Sequence, residues 1–278
     1  MTKKYELMDE TIEWGGKTLH RIKALKGFGN VICGEIGGFI EKEDNLSHEE
    51  LCWVSDNALV CGDAHVYGNA RICYNARVSG KAQVYGNATV FGNVKIYDNA
   101  RVYGDANVYD GVEIHGNARV YGDVWVCDNA EIYDDARVFG NADVYENSKI
   151  YEKAKIYGTC RIRNNAQVYG NARVHGNSEI RGKSKVSGNA KISGNTTLCK
   201  KSLVSSNNDY ITFNNIGLRN TTITMFRCTN GNIKVTCRWF TGTLDKFYDK
   251  VMKIYGDDNV KKEYLSAIER AKIHLNIN

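Results

Sequence analysis

At intervals of eighteen residues the chain sets a cation one position before, and an aromatic ring one position after, a valine or isoleucine. Arg101 goes with Tyr103, Arg119 with Tyr121, Arg137 with Phe139 and Lys155 with Tyr157, and Arg173 follows with His175. The series opens with His65 and Tyr67, then Gln83 and Tyr85, and ends at Lys191 and Ser193. Guanidinium and ammonium groups beside ring faces keep their positive charge at neutral pH and offer no nucleophile. They bind anions, and most favourably anions that also present a planar face. Arg101, Tyr103, Arg119, Tyr121, Arg137, Phe139, Lys155, Tyr157 and Arg173 are therefore the candidate ligand-binding residues.

Groups suited to catalysis are sparse and separate. His65, His115 and His175 stand singly, each more than two of the eighteen-residue periods from the next, and read as substitutes for Tyr or Arg in the outward series. Cys61, Cys73, Cys127 and Cys199 replace Ser or Tyr in that outward series with no histidine implied beside them to form a thiolate. "GFGN" and "GEIGGF" near the start do not join a strand to a helix, which a phosphate loop requires. Asp257 and Asp258 in "YGDDN" could hold a cation, but they read as a turn between two helices. No catalytic residue, metal or cofactor is expected.

A six-residue frame positions the stripe. From Val54 to Val204, 26 positions at steps of six are Val or Ile apart from Leu198; four residues after each comes a small residue, Ala in 16 of 25 cases. Gly, Asn, Asp or Lys fill most of the positions between. Apolar spacings of two and four do not fit a 3.6-residue period, so each unit is a short strand followed by a corner. Three strands per coil place residues eighteen apart above one another, about 4.8 Å along the ladder, and give roughly eight coils of a parallel β-helix.

The frame closely resembles the hexapeptide-repeat family of left-handed β-helices over residues 54–204. The left hand of the coil comes from that resemblance, since the usual rule for parallel crossovers predicts the opposite hand. With "GEIGGFIEKEDNLSHEELCWV" and the tail from "FTGTLDKFYDKV" onward, the whole chain looks like uncharacterised β-helix proteins encoded by bacteriophages and prophages. The fold class expected is an all-β solenoid with an N-terminal β-rich cap (1–53), the left-handed parallel β-helix (54–206) and a small C-terminal α+β domain (207–278). The cap should contain a hairpin at Gly15 and Gly16. The tail should pair "YITF", "TITMFRC" and "IKVTC" antiparallel, then form a helix from Leu244 to Tyr255 capped by Thr243. Leu244, Phe247, Val251 and Ile254 are its expected apolar stripe, and a second helix should bury Leu265, Ile268 and Leu275.

Sorting outward residues by the eighteen-residue period separates three faces. The second mixes Trp125, Asp143, Arg161 and Glu179; the third alternates Lys95, Glu113, Glu131 and Lys149 beside Tyr97, His115, Tyr133, Tyr151 and Tyr169. Only the first is a continuous basic and aromatic stripe. Stacked rings and Arg lying over Tyr would suffice for a purely structural ladder. Against that, like charges about 5 Å apart repel by about 1 kcal/mol even in water.

Many hexapeptide-repeat enzymes are acyltransferases that use a histidine beside a loop interrupting the coil; this frame has no insertion. The resemblance also implies a homo-oligomer, commonly a trimer. The net charge of +5 favours an acidic partner without the basicity of a duplex nucleic-acid binder, and the absence of proline fits strands stacked on both sides. No membrane-spanning run or signal peptide is legible, and nine cysteines lack a CxxC pair, so free thiols and a cytoplasmic location are expected. The expected partner is a nucleotide-derived anionic small molecule, as in sequestration of a host immune signal, or an acidic host protein. An acyltransferase and a structural scaffold are the alternatives.

Overall fold

The computed structural model describes residues 3–256 and 259–277. Asp257 and Asp258, the candidate cation ligands, lie outside the described residues. The chain divides into two compact units, residues 1–152 and 153–278.

In the first unit, Tyr5–Trp14 and Lys17–Ala24 pair antiparallel across Gly15 and Gly16, whose φ of +59° and +74° suit the tight turn such hairpins favour. Ile36–Ile40 pairs antiparallel with the second hairpin strand and parallel with Leu59–Val60, so it passes the hydrogen-bond ladder from cap to solenoid. Seventeen strands of two to four residues follow, from Trp53–Val54 to Lys149–Ile150. They are parallel, in register with the strand eighteen residues on, and distributed over three faces; Val102, for example, pairs with Val84 and Val120. The Val/Ile and Ala series point inward with no exposed surface from Ile72 to Val144.

Corners turn on left-handed residues stacked coil upon coil. At Gly104, φ +73°, an added Cβ would lie 2.8 Å from the Gly122 nitrogen, so a side chain here meets backbone. Where Asp takes this conformation it makes a bond that Gly cannot: Gly116 N–H donates to Asp98 Oδ2 (3.1 Å) and Glu146 N–H to Asp128 Oδ2 (2.9 Å).

In the second unit, nine strands from Lys155–Ile156 to Leu203–Val204 make three coils. An antiparallel sheet follows, formed by Tyr210–Ile216, Thr221–Arg227, Ile233–Cys237 and Phe240–Thr243, then helices Leu244–Ile254 and Asn259–His274. The fourth strand was not legible in "FTGT", which lacks a run of large apolar residues. The Thr243 hydroxyl accepts the Lys246 N–H, as its cap position predicts. Leu244, Phe247 and Val251 are buried, but Ile254 is 52% exposed, because the first helix ends there and its last turn leaves the sheet. On the second helix Ile268 is buried and Leu265 only partly so; Tyr264, Ala267 and Ala271 fill the core, and Leu275 is buried just beyond the helix end.

The turn into this sheet is held by Asp209. Its carboxylate accepts the backbone N–H groups of Ser205 and Ser206 (both 2.8 Å) and their hydroxyls. Desolvation, the largest single influence, raises its pKa, but the combined hydrogen bonds outweigh it and leave the pKa below the usual carboxylate value. A group whose folded pKa is lowered contributes stability above its unfolded pKa and loses it as pH falls. Asp209→Ala is expected to cost about 1–3 kcal/mol at neutral pH. Urea denaturation at several pH values checks this: the gap between wild type and variant should narrow below about pH 4. A gap that widens there would show that the carboxylate is not the group involved.

Candidate functional site

The first face of the first unit is built from Gln83–Val84, Arg101–Tyr103, Arg119–Gly122 and Arg137–Gly140, preceded by His65–Val66. Because the register never slips, Arg101, Arg119 and Arg137 stand above one another, as do Tyr103, Tyr121 and Phe139. The rings make a continuous stack: Tyr67–Tyr85, Tyr85–Tyr103 and Tyr103–Tyr121 have centroids 4.7 Å apart and planes within 5°, and Tyr121–Phe139 follows at 5.0 Å. A spacing equal to that of the ladder forces this alignment. Burial raises the phenol pKa values of Tyr67, Tyr85 and Tyr103, against the pull of Arg101, so the hydroxyls are neutral donors at neutral pH.

The guanidinium ladder is uncompensated. Among the described residues no carboxylate pairs with Arg101, Arg119 or Arg137, and none of the three lies over a ring, so the Arg-over-Tyr arrangement of a purely structural ladder is absent. In the second unit Lys155, Arg173 and Lys191 are likewise in register, and Tyr157 stacks on His175 at 4.8 Å. The third face differs. There Lys95 pairs with Glu113 at 2.6 Å and Lys149 with Glu131 at 2.8 Å, beside the stack Tyr97–His115–Tyr133–Tyr151. The same scaffold thus carries one ring ladder with paired charges and one without.

The histidines belong to their stacks. His115 lies between Tyr97 and Tyr133, His175 on Tyr157, and His65 beside Tyr67 with its Nδ1 2.6 Å from the Asp44 carbonyl. All nine cysteines are free thiols. Cys127 is pushed up to about 11 by burial and then by Asp128, which disfavours a thiolate. Cys61 and Cys199, read as outward, are 2% and 3% exposed: Cys61 packs with Leu19 and Phe39 of the cap.

One aromatic row was missed. On the second face Tyr74, Phe91, Tyr109 and Trp125 follow one another at 5.4, 4.6 and 5.5 Å, and Tyr74 and Trp125 are more than half exposed. The eighteen-residue spacing of Phe91 and Tyr109 was the available signal. Tyr74 sits at a corner and Trp125 precedes its Val, so no single column contains all four.

Set beside known proteins, residues 58–161 match the Bactofilin family, described as polymer-forming cytoskeletal, and residues 166–182 match the YdcK β-solenoid repeat. A stretch of 55 residues is 44% identical to the uncharacterized acetyltransferase YdcK of Escherichia coli (strain K12), covering 19% of this chain and 17% of that protein. The matched stretch is therefore less than a fifth of that relative's length. These similarities support a β-helix of the hexapeptide-repeat kind.

Proposed function

We propose that this protein is a non-catalytic binding protein that captures an anionic partner on its first face. The observation that carries the reading is the unpaired ladder Arg101, Arg119 and Arg137 beside a coplanar ring stack, on a scaffold that pairs its charges elsewhere. Three guanidinium groups at ladder spacing repel one another, and an anion with two or more charges relieves that repulsion. The ligand class favoured is a nucleotide-derived anion, sequestered without chemistry. A phage or prophage origin with a host immune signal as target fits this reading, in the host cytoplasm; an acidic host protein is the alternative partner.

Acyl transfer, suggested by the name of the YdcK relative, finds no support in the first-face histidines: His175 is stacked on Tyr157, and His65 lies tilted against Tyr67 with its Nδ1 at the Asp44 carbonyl. A polymer-forming role, from the Bactofilin description, would need a route for growth. A solenoid lengthens most simply by pairing its terminal strands. At the start of the first unit Ile36–Ile40 occupies the edge of Leu59–Val60, and in the second unit Cys228 bridges Ser202 near the last strand. These caps weigh against growth through the ends. Homo-oligomers through the flat faces, a trimer foremost, remain the assembly we propose.

Calorimetry of the full chain against cyclic dinucleotides, adenosine-diphosphate-ribose derivatives and acetyl-coenzyme A tests the reading. Combining Arg119→Glu with Arg137→Glu is expected to weaken binding of the nucleotide anion by about tenfold or more. Unchanged affinity in that variant, or turnover of acetyl-coenzyme A, sinks it.

A further inference from the structure

A second candidate ligand site lies in the C-terminal sheet and helices, where residues from two turns and two helices converge. Arg219 comes from the turn between the first two sheet strands, Trp239 from the turn before the fourth, and Lys250 from the first helix. Tyr255 caps that helix, and Tyr264 sits on the second. Together with exposed Leu218 they line a cavity of about 440 Å³. That volume lies within the range for small-molecule sites.

The lining is chemically specific. Tyr255 stacks on Tyr264 at 5.2 Å, and Trp239 meets the edge of Tyr264 at 6.0 Å and 75°, which leaves ring surface facing the cavity. The Lys250 ammonium lies 5.6 Å from the Trp239 ring centre. Among the described residues neither Arg219 nor Lys250 has an acidic partner. Burial, with a hydrogen bond to Tyr264, pushes the Tyr255 phenol up to about 12, so it stays a neutral hydroxyl at neutral pH. Leu218 is 86% exposed and Ile254 52% exposed at the rim. Apolar lips, ring walls and two cations without an acidic partner among the described residues suit a ligand that is flat and aromatic at one end and anionic at the other.

We propose that this cavity binds a planar aromatic anion of nucleoside-monophosphate size, its ring against Trp239 and Tyr255 and its anionic group between Arg219 and Lys250. The site uses none of the first-face residues and stands or falls independently of them.

Adenosine monophosphate, adenosine and inorganic phosphate are the probes, titrated calorimetrically into the full chain. The expected result is saturable binding of the monophosphate, with adenosine and phosphate each weaker by about tenfold or more, because each keeps only half of the contacts. In the Arg119→Glu with Arg137→Glu background, Arg219→Glu with Lys250→Glu should remove the remaining monophosphate binding. Both residues are exposed, and an unchanged circular dichroism spectrum checks that the variant folds. Arg119→Glu with Arg137→Glu should leave binding at this site intact. No binding of adenosine monophosphate at millimolar concentration overturns the proposal. So does binding that, in the first-face background, survives reversal at Arg219 and Lys250, and binding already lost on reversal at Arg119 and Arg137 alone assigns the nucleotide to the first face instead. Phosphate binding as tightly as the monophosphate also overturns it, since the rings would then contribute nothing.

Discussion

Val120→Asp is expected to abolish cooperative thermal melting and to remove most of the β-type circular dichroism of the solenoid. Val120 has no exposed surface and is paired in register with Val102 and Val138. A carboxylate there meets only methyl groups, and leaving it without a partner costs several kcal/mol, comparable with the whole stability of about 5–15 kcal/mol for a domain. In a solenoid stability comes from contacts between neighbouring coils, so damage in a middle coil removes two such interfaces at once. The control is Val120→Ile, a side chain that other positions of the same inward series already carry, which should cost no more than about 1–3 kcal/mol and leave melting cooperative. The buried Asp would have a raised folded pKa, so its penalty applies above its unfolded pKa and fades as pH falls. Partial recovery of structure below about pH 4 is therefore expected. A variant that melts like wild type at neutral pH would falsify the inward assignment of this position.

The solenoid was legible because its coil is a local rule repeated without interruption. Each inward Val or Ile is followed four residues later by a small residue, and parallel pairing at eighteen residues carries that local rule into three dimensions. The stacking of Tyr103, Tyr121 and Phe139 follows from register alone. What escaped the reading depends on parts of the chain that periodicity does not connect. Cys61 is an outward position by its frame, yet Leu19 and Phe39 cover it. Lys4 was unremarkable in sequence and is 1% exposed, its ammonium donating to the Cys52 carbonyl at 2.9 Å, with burial lowering its pKa. The candidate residues stand in two columns, as their eighteen-residue spacing predicts, but their distinguishing property, the lack of counter-charges among the described residues, appears only once Lys95 and Lys149 are seen paired with Glu113 and Glu131. The Arg219 and Lys250 cavity was invisible because its walls come from elements scattered between residues 218 and 264.

Replacing Gly37 and Gly38 together by Val is expected to convert the protein into large self-associated species while its coils stay folded. The two glycines lie in the strand that closes the first coil, and their role is close approach rather than unusual φ. An added Cβ at Gly37 would fall 2.6 Å from the Val54 carbonyl oxygen, and one at Gly38 would fall 2.5 Å from the Ala58 oxygen. Both obstacles are backbone, which cannot move aside as a flexible side chain can, so the strand Ile36–Ile40 must lift away. Its bonds to the first coil, Phe39 N–H to Ala58 O at 2.9 Å and Glu41 N–H to Val60 O at 3.1 Å, are then lost. The solenoid keeps its own coil-to-coil bonds, but Leu59–Val60 becomes an open edge with free carbonyls, flanked by Leu59 and Cys61 stripped of their cover. An uncovered strand edge with apolar residues beside it recruits other chains. Light scattering at increasing protein concentration checks the outcome, read against wild type and against Gly27→Ala, where an added Cβ makes only an ordinary 3.6 Å contact with the Val31 oxygen and self-association should not change. A G37V/G38V protein as monodisperse as wild type, with undiminished thermal stability, would mean that the cap strand does not seal this edge, and the argument against growth through the ends would fall with it.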